Sequence, residues 1–191
     1  MIQSRRRLLL GLGGTLAAAA APTVLGATVR TPATTLSPGT ADLRRVRVHN
    51  LHTGDKLDAV YFEKGAYVRD ALAEAMRVMR DWRNGQEHVM DPRLFDALDA
   101  IAGKLETRTP FQIISGYRSP ATNAMLHERS HGVASQSQHL LGKASDVRVE
   151  GVDLRHLQRA ALSLGAGGVG YYPASNFVHV DVGPVRQWTG S

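Results

Sequence analysis

The chain has no cysteine and, outside its N-terminal segment, no long apolar run. The absence of cysteine from its 191 residues excludes disulfides, thiolate zinc sites, a cysteine nucleophile and a lipoprotein anchor. No apolar run has the roughly 20 residues that a spanning helix needs, which excludes a multi-span membrane protein. Any metal in this protein must therefore be held by histidine, aspartate or glutamate.

A strong excess of either charge is also absent. The chain has 23 Lys and Arg residues against 17 Asp and Glu. Three of the arginines lie in residues 1–27, which contain no acid, so the remainder has a net charge of +3. Basic residues do not cluster with aromatics, and no nucleic-acid partner is expected. The 43% hydrophobic content suits one globular domain with a core of its own.

The N-terminal segment has the pattern of an export signal. Three arginines at positions 5–7 precede a short apolar run and an alanine tract. This order predicts a signal over residues 1–27, and the paired arginines favour the twin-arginine route to the periplasm over an ordinary signal or an uncleaved anchor. Residues 28–41, rich in Thr, Pro, Ala and Ser, are predicted to be a flexible leader. The folded domain is expected over residues 42–191, with no membrane span once the signal is removed.

The rest of the chain predicts a single α+β domain. Hydrophobic spacing and turn residues predict a hairpin over 44–62, helices over 66–82, 92–105, 120–126 and 154–164, and strands over 111–115, 144–149, 168–172 and 177–182. Strands separated by so few residues cannot make parallel crossovers. The sheet is therefore expected to be antiparallel, with helices mainly on one side.

One strand carries an unusual polar pair. Side chains alternate along a strand, so Val178 and Val180 lie on one face while His179 and Asp181 share the other. Polar groups on an apolar strand need a partner, because unpaired burial is costly. Metal ligation or catalysis would supply one, and a surface-facing pair on an edge strand is the alternative.

A second polar pair lies upstream. His139 and Asp146 are too far apart in sequence to meet on one strand, but a turn at Gly142, which tolerates positive φ, could bring them together. The alternative is a capping aspartate and an unrelated loop histidine. Combined with His179, the pair gives two imidazoles and one carboxylate, the ligand set of a catalytic zinc site with an open position.

These segments together resemble the M15 metallopeptidases. The resemblance rests on Ser137-x-His139-x6-Asp146, on Phe177–Asp181 and on the arginine-bearing segment Ser115–Ser119. It implies a hedgehog/D-Ala-D-Ala-peptidase fold and one Zn²⁺ per chain, held by His139, Asp146 and His179. It also implies that Arg118 binds the carboxylate or carbonyl of a peptide substrate, with a structural ion pair as the alternative. The most similar branch is that of exported murein endopeptidases, DUF882.

One residue departs from the family pattern. Several M15 branches have a glutamate as general base a few residues before the last zinc histidine, where this chain has Asn176. Asp181 is the nearest carboxylate, and it is expected to be the catalytic base. It could instead support His179 or replace it as a ligand.

The function expected from the resemblance is that of a periplasmic, monomeric zinc endopeptidase. Its substrate would be the peptide cross-links of peptidoglycan, cut at an L,D bond, with a D,D bond as the alternative. One alternative is a module of the same fold that binds wall peptides without cutting them, which Asn176 favours. Another is a structural zinc site closed by Asp181 as a fourth ligand.

Overall fold

The computed structural model describes residues 43–129, 134 and 136–190. The predicted export signal and leader lie outside these residues. The described residues form one α+β domain, as predicted, with an eight-stranded sheet and four α-helices. The strands are β1 Leu43–Asn50, β2 Lys56–Glu63, β3 Ala66–Tyr67, β4 Phe111–Ser115, β5 Ala144–Val149, β6 Gly168–Tyr172, β7 Phe177–Asp181 and β8 Arg186–Thr189, and the helices are α1 Arg69–Val78, α2 Pro92–Lys104, α3 Pro120–Arg129 and α4 Leu154–Leu162.

The sheet is mixed rather than wholly antiparallel. Its strand order is β3-β2-β1-β4-β5-β7-β6-β8. Five of the seven neighbouring pairs are antiparallel, as expected. The other two, β1 with β4 and β6 with β8, are parallel. The first of these arises because α1 and α2 provide the long crossover that a parallel pair requires.

The predicted helix over 66–82 is shorter in the structure. Residues 66–67 pair with β2 as β3, and α1 ends at Val78, before a loop that leads to α2. Trp82 had the spacing of a helical core residue, but it lies in this loop and stacks on His52 with 3.9 Å between ring centroids. The apolar spacing continued past the helix because the loop also packs against the domain.

The two faces of the sheet have different roles. Val178 and Val180 of β7 are buried in a core that also contains Leu94 and Leu98 of α2 and Leu157 of α4. The intervening residue of β7, His179, lies on the opposite face. Helices α2 and α4 therefore cover one face, and the polar side chains of the central strands gather on the other.

A bulge in β4 directs the following segment over the polar face. The register shifts between Ile113 and Ser115, so Ser115 lies opposite Asp146. Gly116 then contacts the backbone of Met79 so closely that any Cβ would overlap the Met79 carbonyl.

No helix in the described part of the chain has the length and apolar character needed to cross a bilayer.

Candidate metal centre

His139 is presented by a short 3-10 helix, Gln138–Leu141. The Ser137 side chain caps this helix by accepting a hydrogen bond from the His139 backbone at 3.3 Å. Gly142 ends it with a left-handed φ of 64°, and a Cβ there would overlap the Val89 carbonyl. Glycine is therefore required by both conformation and space at the turn that brings His139 back towards β5.

Asp146 and His179 lie directly opposite each other on the antiparallel strands β5 and β7. The Asp146 Oδ1 is 2.9 Å from the His179 Nδ1 and 3.2 Å from the His139 Nε2. The two ring nitrogens are 3.1 Å apart. All three side chains are buried. The structure thus brings together the three residues that the sequence suggested as ligands.

The remaining nitrogen of each imidazole has a partner that fixes its proton. The His139 Nδ1 donates to the Gly116 carbonyl at 2.7 Å, and the His179 Nε2 donates to the Asp181 Oδ2 at 2.9 Å. In a neutral imidazole the other nitrogen is then an acceptor. Two nitrogen lone pairs and a carboxylate oxygen therefore point at one another, and such a cluster is stable only with a proton or a metal cation among them.

The pKa shifts agree with a cluster in which three buried groups share one proton or one metal cation. Burial lowers the pKa of His139, because its charged form is poorly solvated. Burial acts in the same direction on His179, but hydrogen bonds to Asp146 and Asp181 outweigh it and raise its pKa. Burial would raise the pKa of Asp146, yet the neighbouring imidazoles lower it well below its usual range. Asp146 is therefore a carboxylate at neutral pH.

The donor set and its spacing fit Zn²⁺. Ligand atoms about 2.0–2.1 Å from a tetrahedral ion lie roughly 3.3 Å from each other. The three distances here are between 2.9 and 3.2 Å, so a small outward shift would accommodate the ion. Two imidazoles and one carboxylate also leave a fourth position open.

Comparison with known proteins identifies the family. Residues 38–188 match the family Peptidase_M15_2, described as peptidoglycan L,D-endopeptidase MepK. The chain belongs to this family. It is 46% identical over 186 residues to the peptidoglycan L,D-endopeptidase MepK of Escherichia coli (strain K12), which covers 97% of each chain. It is 40% identical over 191 residues to the probable MepK of Haemophilus influenzae, which covers 99% of this chain and 98% of the relative.

Membership in Peptidase_M15_2 confirms the resemblance that the motifs indicated. The match extends beyond the metal-site segments to almost the whole predicted domain. This chain is therefore a metallopeptidase of the M15 type, and its three convergent side chains form a group that could hold a metal ion. The individual roles of these residues remain predictions.

Asp181 lies on the far side of the His179 ring from Asp146. Its two oxygens accept hydrogen bonds from the backbone of Gly168 at 3.0 Å and of Gly183 at 2.8 Å, and from both Nη atoms of Arg186 at 3.1 and 2.7 Å. Burial would raise the pKa of Asp181, but His179 and these donors lower it. Of its three possible roles, the geometry favours support of His179. The role of general base stays a prediction that this arrangement does not favour.

Arg118 of this M15_2 domain lies beside the three predicted ligands. Its Nη2 is 3.5 Å from the Asp146 Oδ2, and its Nη1 is 3.4 Å from the Asn123 Oδ1. Its buried Nε has no hydrogen-bond partner among the described residues. The guanidinium therefore has donors left for another acceptor at the metal centre.

The segment around Arg118 is fixed on both sides. The Arg118 backbone donates to the His139 carbonyl at 3.2 Å, and the Ser119 backbone donates to the Asp81 carboxylate at 2.9 Å. Hydrogen bonds from Ser119, Thr122 and the Arg83 backbone outweigh burial and lower the pKa of Asp81. Arg118 is thus held in place through its backbone as well as through the long contacts of its guanidinium.

Sequence reasoning missed the roles of Gly116 and Arg186 at this centre. Gly116 supplies the carbonyl that fixes His139, and Arg186 holds Asp181. Trp188 lies 5.1 Å from the His179 ring, between centroids. Arg186 and Trp188 belong to β8, a short strand without hydrophobic alternation. The one available signal was their position a few residues after the polar pair of β7.

Proposed function

We propose that this chain is a zinc-dependent peptidoglycan endopeptidase that hydrolyses an L,D bond in the peptide cross-links of the cell wall. The observation that carries the proposal is the convergence of three buried acceptor atoms, two of them on imidazoles whose protons are fixed elsewhere. Membership in Peptidase_M15_2 supports the substrate class. The names of the relatives support the type of bond.

His139, Asp146 and His179 would hold one Zn²⁺. When bound, the ion would activate water and polarise the scissile carbonyl. The protein prepares the site before the metal arrives, since the Gly116 carbonyl and Asp181 direct a lone pair of each imidazole inward. Asp146 contributes the negative charge that a divalent cation needs.

Arg118 would position the substrate. A guanidinium presents a planar fork of donors that matches a carboxylate, and peptidoglycan stem peptides are rich in carboxylates. The free Nε and the long Nη contacts of Arg118 support this role. Its contact with the second oxygen of Asp146 would also hold that carboxylate with Oδ1 towards the imidazoles.

Digestion of purified sacculi tests the proposal. The chain from residue 42 onwards should release peptide fragments that mass spectrometry assigns to cleavage of an L,D bond. A chelator should stop the release, and added Zn²⁺ should restore it. His139→Ala removes one predicted zinc ligand, so this variant should neither bind zinc nor cut sacculi. Release that continues in the chelator and in His139→Ala would contradict a metal-dependent reaction.

A binding module of the same fold is the second candidate. It is favoured by Asn176, which cannot accept a proton at the position where several M15 branches are expected to have a glutamate. In the structure Asn176 lies in the turn between β6 and β7 with a positive φ of 53°, a conformation that asparagine tolerates better than glutamate. Sacculi that retain the protein in a pull-down and yield no fragments would support this candidate.

A further inference from the structure

The last strand of the described chain lies beside the metal centre. β8 is an edge strand and pairs in parallel with β6. Arg186 and Trp188 are two residues apart on it, so they share one face of the sheet. The register places Arg186 opposite Gly168 and Trp188 opposite Gly170.

The same register continues into the predicted ligands. Gly170 lies opposite His179 of β7, and His179 lies opposite Asp146 of β5. Trp188, Gly170, His179 and Asp146 thus form a single row across four strands. Two of its members are predicted metal ligands, and Trp188 is at its outer end.

The two glycines of β6 leave space for the side chains of β8. A Cβ on Gly168 would lie 2.5 Å from both the Arg186 Nη1 and the Asp181 Oδ2. A Cβ on Gly170 would lie 2.5 Å from the Trp188 indole. Neither glycine has a positive φ, so their backbone conformation would suit other residues. Space is what requires glycine here, because the Arg186 and Trp188 side chains cross β6 at these positions.

Both crossing side chains reach the surroundings of His179. The Arg186 Nη2 is 2.7 Å from the same Asp181 oxygen that accepts the His179 Nε2 proton. The Trp188 ring is tilted by 51° against the imidazole, and its Nε1 donates to the Tyr172 hydroxyl at 2.8 Å. The guanidinium of Arg186 also lies 5.0 Å from the centre of the Trp188 ring.

We infer that β8 is a clamp for the metal ligand, in which Arg186 and Trp188 act as positioning residues that reach His179 across Gly168 and Gly170. Arg186 fixes the carboxylate of Asp181, and this carboxylate fixes the proton on the His179 Nε2. Trp188 limits rotation of the imidazole plane. The inference rests on the proposed function in that His179 is taken to be a zinc ligand.

Zinc affinity is the first test, measured by competition with a chromogenic chelator. Arg186→Gln and Gly170→Ala should each bind zinc about 10–100-fold more weakly than the unaltered chain, the usual cost of losing a ligand's support. Arg186→Lys keeps the charge and loses the paired contact, so its affinity should be intermediate.

Two matched substitutions serve as controls. Arg155→Gln removes an arginine that lies over the Tyr171 ring of β6. Gly103→Ala adds a Cβ in α2 where no atom lies within 4 Å. Neither residue contacts the metal centre, so both variants should bind zinc as the unaltered chain does.

The state of the His179 imidazole in metal-free protein is the second test, read from its ¹⁵N chemical shifts. The unaltered chain should show a proton fixed on Nε2, and Arg186→Gln and Gly170→Ala should both change this signal. The reading needs neither zinc nor hydrolysis. A chain that binds zinc but leaves sacculi intact would therefore contradict the proposed function. The zinc affinities and the ¹⁵N shifts of the variants would still test the clamp.

The clamp is wrong if Arg186→Gln and Gly170→Ala both keep the zinc affinity and the His179 signal of the unaltered chain. Circular dichroism first establishes that each variant folds. Should Gly170→Ala not fold, Trp188→Ala provides the same comparison, since it removes the ring that limits rotation of the imidazole. Unchanged readings in that variant and in Arg186→Gln would also overturn the inference.

Discussion

At the scale of single residues, the centre depends on which nitrogen of each imidazole carries a proton. A backbone carbonyl decides this for His139, and a carboxylate decides it for His179. The carbonyl of Gly116 cannot change its charge. The negative charge of Asp181 is balanced by Arg186 and two backbone amides, so we expect a substitution of Asp181 to disturb His179.

Asp181→Asn separates the two roles that remain for this residue. An amide cannot accept all the hydrogen bonds that the carboxylate accepts, so His179 should lose its fixed orientation. Zinc should bind about 10–100-fold more weakly, and excess zinc should restore much of the hydrolysis. The measurement is activity on sacculi across a zinc titration. If Asp181 is instead the general base, hydrolysis will stay low at every zinc concentration while affinity is unchanged.

Arg118→Lys tests substrate capture. Lysine keeps the charge but loses the planar fork, and one charged hydrogen bond contributes about 1.5–3 kcal/mol. The kcat/KM for a soluble cross-linked peptide should therefore fall roughly 10–100-fold with zinc affinity unchanged. Arg155→Lys is the control and should behave as the unaltered chain. A loss of stability with an unchanged kcat/KM would show that Arg118 is only a structural ion pair.

At the scale of helices and strands, local signals predicted most elements well. Asp91 and Asp153 cap α2 and α4 with their side chains, as their sequence positions suggested. The β-rich runs became β4 to β7. Local spacing failed where tertiary contacts decide. The loop after α1 carries apolar residues at helical spacing, and β8 shows no alternation because it is exposed at the edge of the sheet.

The site was predictable for a related reason. His179 and Asp181 interrupt an apolar strand, so the sequence itself marks them as unusual. Arg186 and Trp188 do not interrupt an apolar strand in this way. Their proposed positioning role becomes visible only when β8 is placed beside two glycines. The carbonyl of Gly116 is a backbone group and leaves no signal in the sequence beyond the glycine itself.

A second polar cluster, centred on the buried Asp96, links the N-terminal hairpin to α2 and predicts sensitivity to alkali. Asp96 accepts hydrogen bonds from the hydroxyls of Tyr61 at 2.9 Å and Tyr67 at 2.8 Å, and from Arg44 at 2.7 Å. Burial and the Asp96 charge raise the pKa of Tyr67 to about 12 and that of Tyr61 further. Both values exceed the unfolded value near 10.

The raised pKa of each tyrosine sets the direction of the pH effect. The stabilisation is complete below about pH 10 and is lost as pH rises towards the folded values, because only the unfolded chain ionises there. Urea unfolding midpoints should therefore fall between about pH 9.5 and 11.5. Tyr61→Phe should weaken this dependence, whereas His139→Ala should leave it intact. Equal midpoints at both ends of the range would refute it.

At the scale of the whole molecule, the predicted ligands and the N-terminal hairpin occupy different parts of the sheet. β1 and β2 lie on one side of β4, and β5, β7, β6 and β8 follow on the other. Every hydrogen bond described for the metal centre lies within residues 79–188. The signal expected over residues 1–27 lies outside the described residues, and its twin-arginine route, which carries folded cargo, remains a prediction.

Replacement of Arg5 and Arg6 by lysine tests the export route. If the twin-arginine pathway carries the chain, the paired substitution should keep the protein in the cytoplasm while its zinc affinity remains normal, because neither residue belongs to the described domain. Fractionation and immunoblotting give the distribution. Substitution of Arg7 alone is the control and should leave export largely unchanged. A normal amount of the doubly substituted chain in the periplasm would indicate a different route.

The glycines of β6 have a consequence for natural variation in this protein. Every missense change at the codons of Gly168 or Gly170 adds at least one carbon atom, and that atom would fall where Arg186 or Trp188 now lies. A survey of tolerated alleles should therefore show few amino-acid changes at these two codons, although glycine carries no functional group. Neighbouring Val169, which faces the helices, should admit other apolar residues. Intolerance in this strand would thus follow side-chain volume rather than chemistry, and it would alternate from one codon to the next.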